Sequence, residues 1–166
     1  MIKIYSEKLP RILKNKKRLE ENLNVKISSK GREVFAEGIP ENEYIAEKVI
    51  DALNMGFPFR EAILLKDEDF VLEIISIKDY TKRRDLERIR ARIIGKQGKT
   101  KKTLSQLTKC FFQVKDNEVG IIGSPEYVEN AHEAVISIIK GSKQSNVYKY
   151  LEKHQTKPVI DLGLKE

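Results

Sequence analysis

Two glycines bracket two polar residues at Gly95-Lys96-Gln97-Gly98, between two basic stretches with helical character. Glycine lets the backbone turn sharply and approach another chain closely, and a helix starting beyond it offers unpaired N–H groups to an anion. A phosphodiester fits that chemistry, with Lys96 and Lys99 beside it. Taken alone, Gly-x-x-Gly reads equally well as a helix C-cap followed by a turn. The surrounding charge favours the first reading. From Lys78 to Lys109 there are twelve Lys/Arg and three acids, net +9, so in a chain of net +7 the remainder nets −2. Such a concentration of positive charge is the footprint of a nucleic-acid site. Gly98-Lys99-Thr100 also invites a phosphate-loop NTPase reading, but Ile93 stands where that pattern needs its first glycine, and a helix rather than a strand leads in.

A clamp of this kind divides into positioning and reading. The amides of Gly95 to Gly98, with Arg92, Lys96, Lys99 and Lys102, are expected to hold phosphates, Gln97 and Thr100 completing the loop and the start of the next helix. Ile93, Ile94, Thr103, Phe111 and Gln113 are expected to line a shallow groove for splayed bases. In the strand Cys110 to Lys115, alternation sets Phe112 toward the core; Phe111 either stacks on a base or closes an interdomain contact. Tyr148 and Tyr150 read as packing or protein-interface residues, and His132 as solvated or packed.

The elements that must hold this loop repeat at low identity. An offset of 85 superposes Gly38-Ile-Pro40-Glu41 on Gly123-Ser-Pro125-Glu126 and pairs Ala46 with Ala131, Ile50 with Val135, Leu53 with Ile138 and Gly56 with Gly141. Each copy reads as a strand (Ile2 to Ser6; Phe70 to Ile77), two helices, a hairpin, and a long helix opened by proline and closed by glycine. The hairpin strands are Val25 to Ser28 with Glu33 to Glu37, and Cys110 to Lys115 with Glu118 to Ile122, turning at Lys30-Gly31 and Asp116-Asn117. The expected class is α+β: two tandem units over 1–66 and 67–141, each a three-stranded antiparallel sheet with helices on one face. Residues 142–166 add a helix at Asn146 to Lys153 and a loose tail with Pro158 and Gly163.

Composition bounds the rest. Of 166 residues, 40% are hydrophobic and 34% charged, too apolar for a disordered polyelectrolyte and too charged for a membrane protein. One Cys and two His cannot build a zinc cage, and a lone Cys110 points to a reducing compartment, the cytoplasm by default. No catalytic constellation, metal site or cofactor motif stands out, so a non-enzymatic binding protein is expected.

Ala91-Arg-Ile-Ile-Gly95-Lys-Gln-Gly98-Lys-Thr100, followed by Ile121-Ile-Gly-Ser-Pro-Glu126 and Ser145-Asn-Val-Tyr-Lys-Tyr-Leu-Glu152, resembles a type I KH domain. More closely, it is similar to the archaeal and eukaryotic KH ribosome-assembly factors of the Dim-two or partner-of-Nob family. The similarity runs through nearly the whole chain, the first copy matching in layout only. That copy has no glycine before Gly31, its equivalent stretch being Leu9 to Lys17, so it is expected to pack against the second copy or a protein, with Arg11 and its lysines touching phosphate at most at an edge. The resemblance implies two tandem type I KH-like domains and binding of single-stranded RNA at the 3′ end of small-subunit (16S) rRNA during ribosome biogenesis. It also implies action with the Nob-type maturation endonuclease and contact with the α subunit of translation initiation factor two. A KH adaptor of another RNA-processing machine and a protein scaffold with a vestigial loop remain as alternatives.

Overall fold

The computed structural model describes residues 1–155; the tail expected around Pro158 and Gly163 lies outside them. The first half runs β1 (Ile2–Tyr5), α1 (Leu9–Lys14), α2 (Lys16–Leu23), β2 (Lys26–Lys30), β3 (Glu33–Glu37) and α3 (Pro40–Met55). A short α4 (Phe59–Ala62) and a 3₁₀ turn, Ile63–Lys66, lead to β4 (Val71–Ser76). After a second 3₁₀ turn, Ile77–Tyr80, come α5 (Leu86–Ile94), α6 (Lys99–Thr108), β5 (Phe111–Lys115), β6 (Glu118–Gly123), α7 (Pro125–Ile139) and α8 (Gln144–Lys153). The expected order of elements is present twice. The stretch from α4 to Lys66 carries no strong period and was not anticipated.

Both sheets are antiparallel, ordered β1-β3-β2 and β4-β6-β5. Each hairpin turns on a residue with positive φ, Gly31 at 62° and Asp116 at 53°, which brings Lys30 opposite Glu33 and Lys115 opposite Glu118. The first turn is thus Gly31-Arg32, one residue later than the sequence suggests.

The repeat holds at the level of packing. Ala46, Ile50 and Leu53 on α3 are fully buried, as are Ala131, Val135 and Ile138 at the paired positions of α7. That spacing is one helical stripe against a sheet. Gly56 and Gly141 follow the two helices with φ of 106° and 104°, values an L side chain rarely adopts.

The sheets differ in what covers them. Ile4, Ile27, Val34 and Ala36 turn one face of the first sheet to its helices, while Tyr5 on the opposite face is exposed. In the second sheet Ile75, Phe112, Val119 and Ile121 pack under the second half's helices. The other face also receives cover: Ile122 and Leu72 belong to the first half's core, and Gly120 sits against Phe57 and Met55. Burial on both faces explains the near-continuous apolar run Val119-Gly-Ile-Ile122, and it sets the first half beside the edge strand β5. No helix among the described residues is long and apolar enough to cross a membrane.

Candidate nucleic-acid interface

The glycine loop joins α5 to α6 through a single 3₁₀ turn, Lys96–Gly98. Its backbone is left-handed at Gln97 (φ 55°) and Gly98 (φ 75°), and Gly95 has φ 77° with ψ 170°, a combination open essentially to glycine alone. The two glycines do different work. A Cβ on Gly95 would collide with the Thr100 backbone and side chain, whereas one on Gly98 meets nothing within 4 Å. Gly95 therefore closes the loop onto α6, and Gly98 leaves a bare surface where a phosphate can approach. The Gly95 N–H donates to the Ala91 carbonyl at 2.7 Å and the Gly98 N–H to the Gly95 carbonyl at 3.1 Å, so these two amides are occupied within the loop.

From Gly98 a groove of about 210 Å³ runs between α6 and the edge strand β5. Gly98, Lys101, Lys102 and Ser105 form one wall, and Phe111 and Gln113 line it from β5. The helix residues recur at i, i+3, i+4 and i+7, one face of α6. Glu61 on α4, contributed by the first half, also lines this groove. Burial raises the Glu61 carboxyl above the ordinary carboxylate range, opposed by the positive charges of Arg60 and Lys101.

The residues singled out from sequence fall in different settings. Gly98, Lys102, Phe111 and Gln113 line the groove, and Lys96, Gln97 and Lys99 stand exposed on or beside the adjoining loop. Phe111 pairs in register with Ile122 on the face turned to the first half, and 36% of its surface remains open. Ile93, expected in the base groove, is buried in the hydrophobic core, and Thr100, expected at the start of the helix after the loop, stands there buried behind Gly95. Thr103 donates its hydroxyl back to the Lys99 carbonyl at 2.9 Å, while Ile94 is exposed at the end of α5.

Arg92 requires a correction. Its guanidinium donates to the carbonyl of Ile138 at 2.8 Å and to that of Ser142, while Gln144 Nε2 donates to the Arg92 carbonyl at 3.4 Å. It ties α5 to the junction of α7 and α8, so the guanidinium expected at a phosphate is engaged within the fold. Arg90 is likewise engaged, donating to Asn117 Oδ1. Part of the positive run thus serves the fold.

Three groove residues were not singled out. Lys101 and Ser105 were legible from the helical face that carries Gly98 and Lys102. Glu61 carried no local signal, because only the docking of the two halves brings it there.

The first half offers no second loop of this kind. There α1 and α2 meet at Asn15 alone, whose side chain donates to the Arg11 carbonyl at 2.9 Å and accepts from Arg18 at 3.3 Å. Arg18 also stacks over the Phe59 ring at 3.9 Å. A Cβ built on Gly56 would lie 3.7 Å from Gln113 Oε1 and 4.0 Å from both Arg11 Nη1 and Lys8 Nζ, so the cations of Lys8 and Arg11 approach the β5 side of the groove.

Other reactive side chains have structural settings. Burial pushes the Cys110 thiol up to about 11, and its Sγ lies 2.5 Å from where a Gly123 Cβ would stand. His132 contacts the Glu73 carboxylate and meets Tyr80 edge-on with centroids 6.2 Å apart, a packed rather than solvated histidine. Tyr150 stacks on His154 at 4.3 Å.

Comparison with known proteins agrees with this geometry. The family model for the second KH domain of PNO1, described as a eukaryotic type KH-domain (KH-domain type I), matches residues 71–156. The KH domain-containing protein MJ0443 of Methanocaldococcus jannaschii is 32% identical over 154 residues, covering 86% of this chain and 66% of that protein. The RNA-binding protein pno1 of Drosophila melanogaster is 34% identical over 134 residues, covering 76% of this chain and 56% of that one. The chain thus spans two thirds or less of the length of these relatives. Among solved structures, Dim2p from Pyrococcus horikoshii superposes with a TM-score of 0.84 at 27% identity, covering 93% of this chain and 100% of that one. A structure of the a/eIF2alpha-aDim2p-rRNA complex from the same organism also gives 0.84, at 28% identity and 93% of each chain.

Proposed function

Because the chain belongs to the PNO1/Dim2 family of KH ribosome-assembly factors, we propose that it binds single-stranded RNA through the Gly95 to Gly98 loop and the groove between α6 and β5. The observation that carries the reading is Gly98: a left-handed residue with empty space above it, flanked by exposed Lys96 and Gln97 and opening directly into the groove. Phosphates lie along Gly98, Lys101 and Lys102, and bases turn toward Phe111 and Gln113 on the edge strand.

In this reading the halves are tandem type I KH modules, divided near residues 66 and 67, with 142–166 as an appended helix and tail. The first has exchanged its glycine loop for a tight helix junction at Asn15 and serves as a wall and a support. The RNA is the 3′ end of 16S rRNA, bound in the cytoplasm during small-subunit biogenesis, with the Nob-type maturation endonuclease and the α subunit of initiation factor two as partners. Support comes from the neighbour that was solved with rRNA and a/eIF2alpha. The protein acts as a binding factor and not as an enzyme.

The test is a salt titration of binding to a short single-stranded RNA carrying the 16S 3′-end sequence, beside a scrambled strand and a duplex. The wild type should prefer the first, with a slope of a few phosphates. The double variant Lys96→Asp, Gln97→Asp should lose roughly 100-fold in affinity through charge repulsion while melting as the wild type does, since Asp tolerates the left-handed φ at position 97. Equal, steeply salt-dependent binding to all three RNAs would reduce the site to a charged surface. Binding untouched by the double variant would leave a protein scaffold with a vestigial loop.

A further inference from the structure

Resting on that RNA-binding reading, we propose that Glu61, reaching into the groove from the first half, is a base-reading residue that selects guanine at one position of the bound strand. The other charged residues lining the groove, Lys101 and Lys102, are cations suited to phosphate. A carboxylate in their midst repels phosphate and every acceptor edge of a base, and it is compatible only with hydrogen-bond donors. Glu61 is half-buried, and among the described residues it accepts no hydrogen bond and closes no ion pair within 4 Å. Its burial raises its pKa, so the charged form is already disfavoured by lost solvation and gains from a donor supplied by a ligand.

The Watson–Crick edge of guanine presents two adjacent donors, N1–H and N2–H, matched to the two oxygens of a carboxylate. Adenine and cytosine each place an acceptor beside their single amino group, and uracil flanks its one N–H with two carbonyls. Gln113 lines the same groove with a side-chain amide that makes no hydrogen bond among the described residues, and its N–H₂ supplies the donor that O6 of guanine requires. The structural alternative is that Glu61 merely tempers the field of Lys101. That role predicts a uniform change in affinity for every RNA, whereas base reading predicts a change in preference.

The experiment incubates wild type and Glu61→Gln, both as the full chain, with a pool of randomised single-stranded RNA decamers and sequences the bound fraction. The best binder is then resynthesised with inosine, which lacks the N2 amino group, in place of the enriched guanine. The wild type should enrich guanine at one position and favour it over inosine by ~10-fold, the scale of a bidentate base contact. Glu61→Gln should lose the enrichment of guanine and treat guanine and inosine alike. An unchanged guanine preference in the variant, or no discrimination of inosine by the unmodified protein, overturns the assignment without touching RNA binding itself. Retention of no RNA by either protein overturns both readings together. The inosine comparison uses wild-type protein and does not depend on how the variant folds.

Discussion

The backbone nitrogen of Thr100 lies 2.6 Å from where a Cβ on Gly95 would stand, while the same atom built on Gly98 has nothing within 4 Å. Two glycines that look interchangeable in the motif therefore answer to different forces, and their alanine variants should behave differently. Gly95→Ala must displace the first turn of α6, at a cost of about 2 kcal/mol typical of overpacking. Gly98→Ala meets only the left-handed strain of its φ, about 1 kcal/mol, but puts a methyl group on the surface a phosphate approaches. Urea denaturation should rank Gly95→Ala as the less stable. Gly98→Ala should lose RNA affinity out of proportion to its stability.

Arg92 and Lys102 both belong to the basic run, but Arg92 is tied into the fold while Lys102 lines the open groove. Arg92→Ala removes the guanidinium that donates to the carbonyls of Ile138 and Ser142, the first of which keeps only the Gly141 N–H, a loss of about 2 kcal/mol for a charged hydrogen-bonding group. It should also loosen α8, which limited proteolysis reads as earlier cleavage after Gly141. Lys102→Ala should leave stability within about 0.5 kcal/mol and lower the salt slope of RNA binding by about 0.7, the share of one phosphate on a single strand. A lowered slope for Arg92→Ala at unchanged stability would reverse the two assignments.

Gly120 marks the seam between the halves, where a Cβ would meet Phe57 Cε2 at 3.0 Å and Met55 Cε at 3.1 Å. Phe57 is fully buried and has little room to withdraw. Gly120→Val should therefore cost about 2 kcal/mol. It should also narrow the preference for guanine over inosine, because the seam holds Glu61 at the groove. Thermal melting together with titrations of the guanine and inosine RNAs checks both effects; a stable variant with the native preference would mean that the seam gives way at little cost.

The loop, the basic run and the duplicated order of elements were legible because each rests on local signals: glycines, charge density, and proline and glycine at helix ends. The burial of Ile93 was not legible because a motif position does not tell which side of a short helix faces the core. The tie that Arg92 makes into the fold was not legible because its carbonyl partner at Ile138 lies 46 residues downstream. Glu61 was invisible for a related reason: α4 is four residues long, with too little sequence for a period, and the groove it enters belongs to the other half. The clearest hint of that docking was the run Val119 to Ile122, apolar at successive positions, which a strand shows when both of its faces are covered.

Asp51 carries a pH dependence unrelated to the groove. It sits on α3 with its carboxyl pushed up to about 6, first by burial and then by the negative charge of Glu47. An unfolded chain releases this proton near the ordinary carboxylate value, whereas the folded chain keeps it until about pH 6. The folded state thus binds more protons across that interval, and stability falls as pH rises through it. Above pH 6 the folded protein holds a partly desolvated charge that makes no ion pair within 4 Å among the described residues. Asp51→Asn keeps the shape and removes the charge, so it should match the wild type near pH 4 and exceed it by ~1 kcal/mol at pH 7, a value discounted for the solvent that still reaches the group. Denaturation midpoints for both proteins from pH 4 to pH 8 give the answer. Parallel curves would mean that Asp51 titrates normally and that water reaches its carboxylate in the folded state.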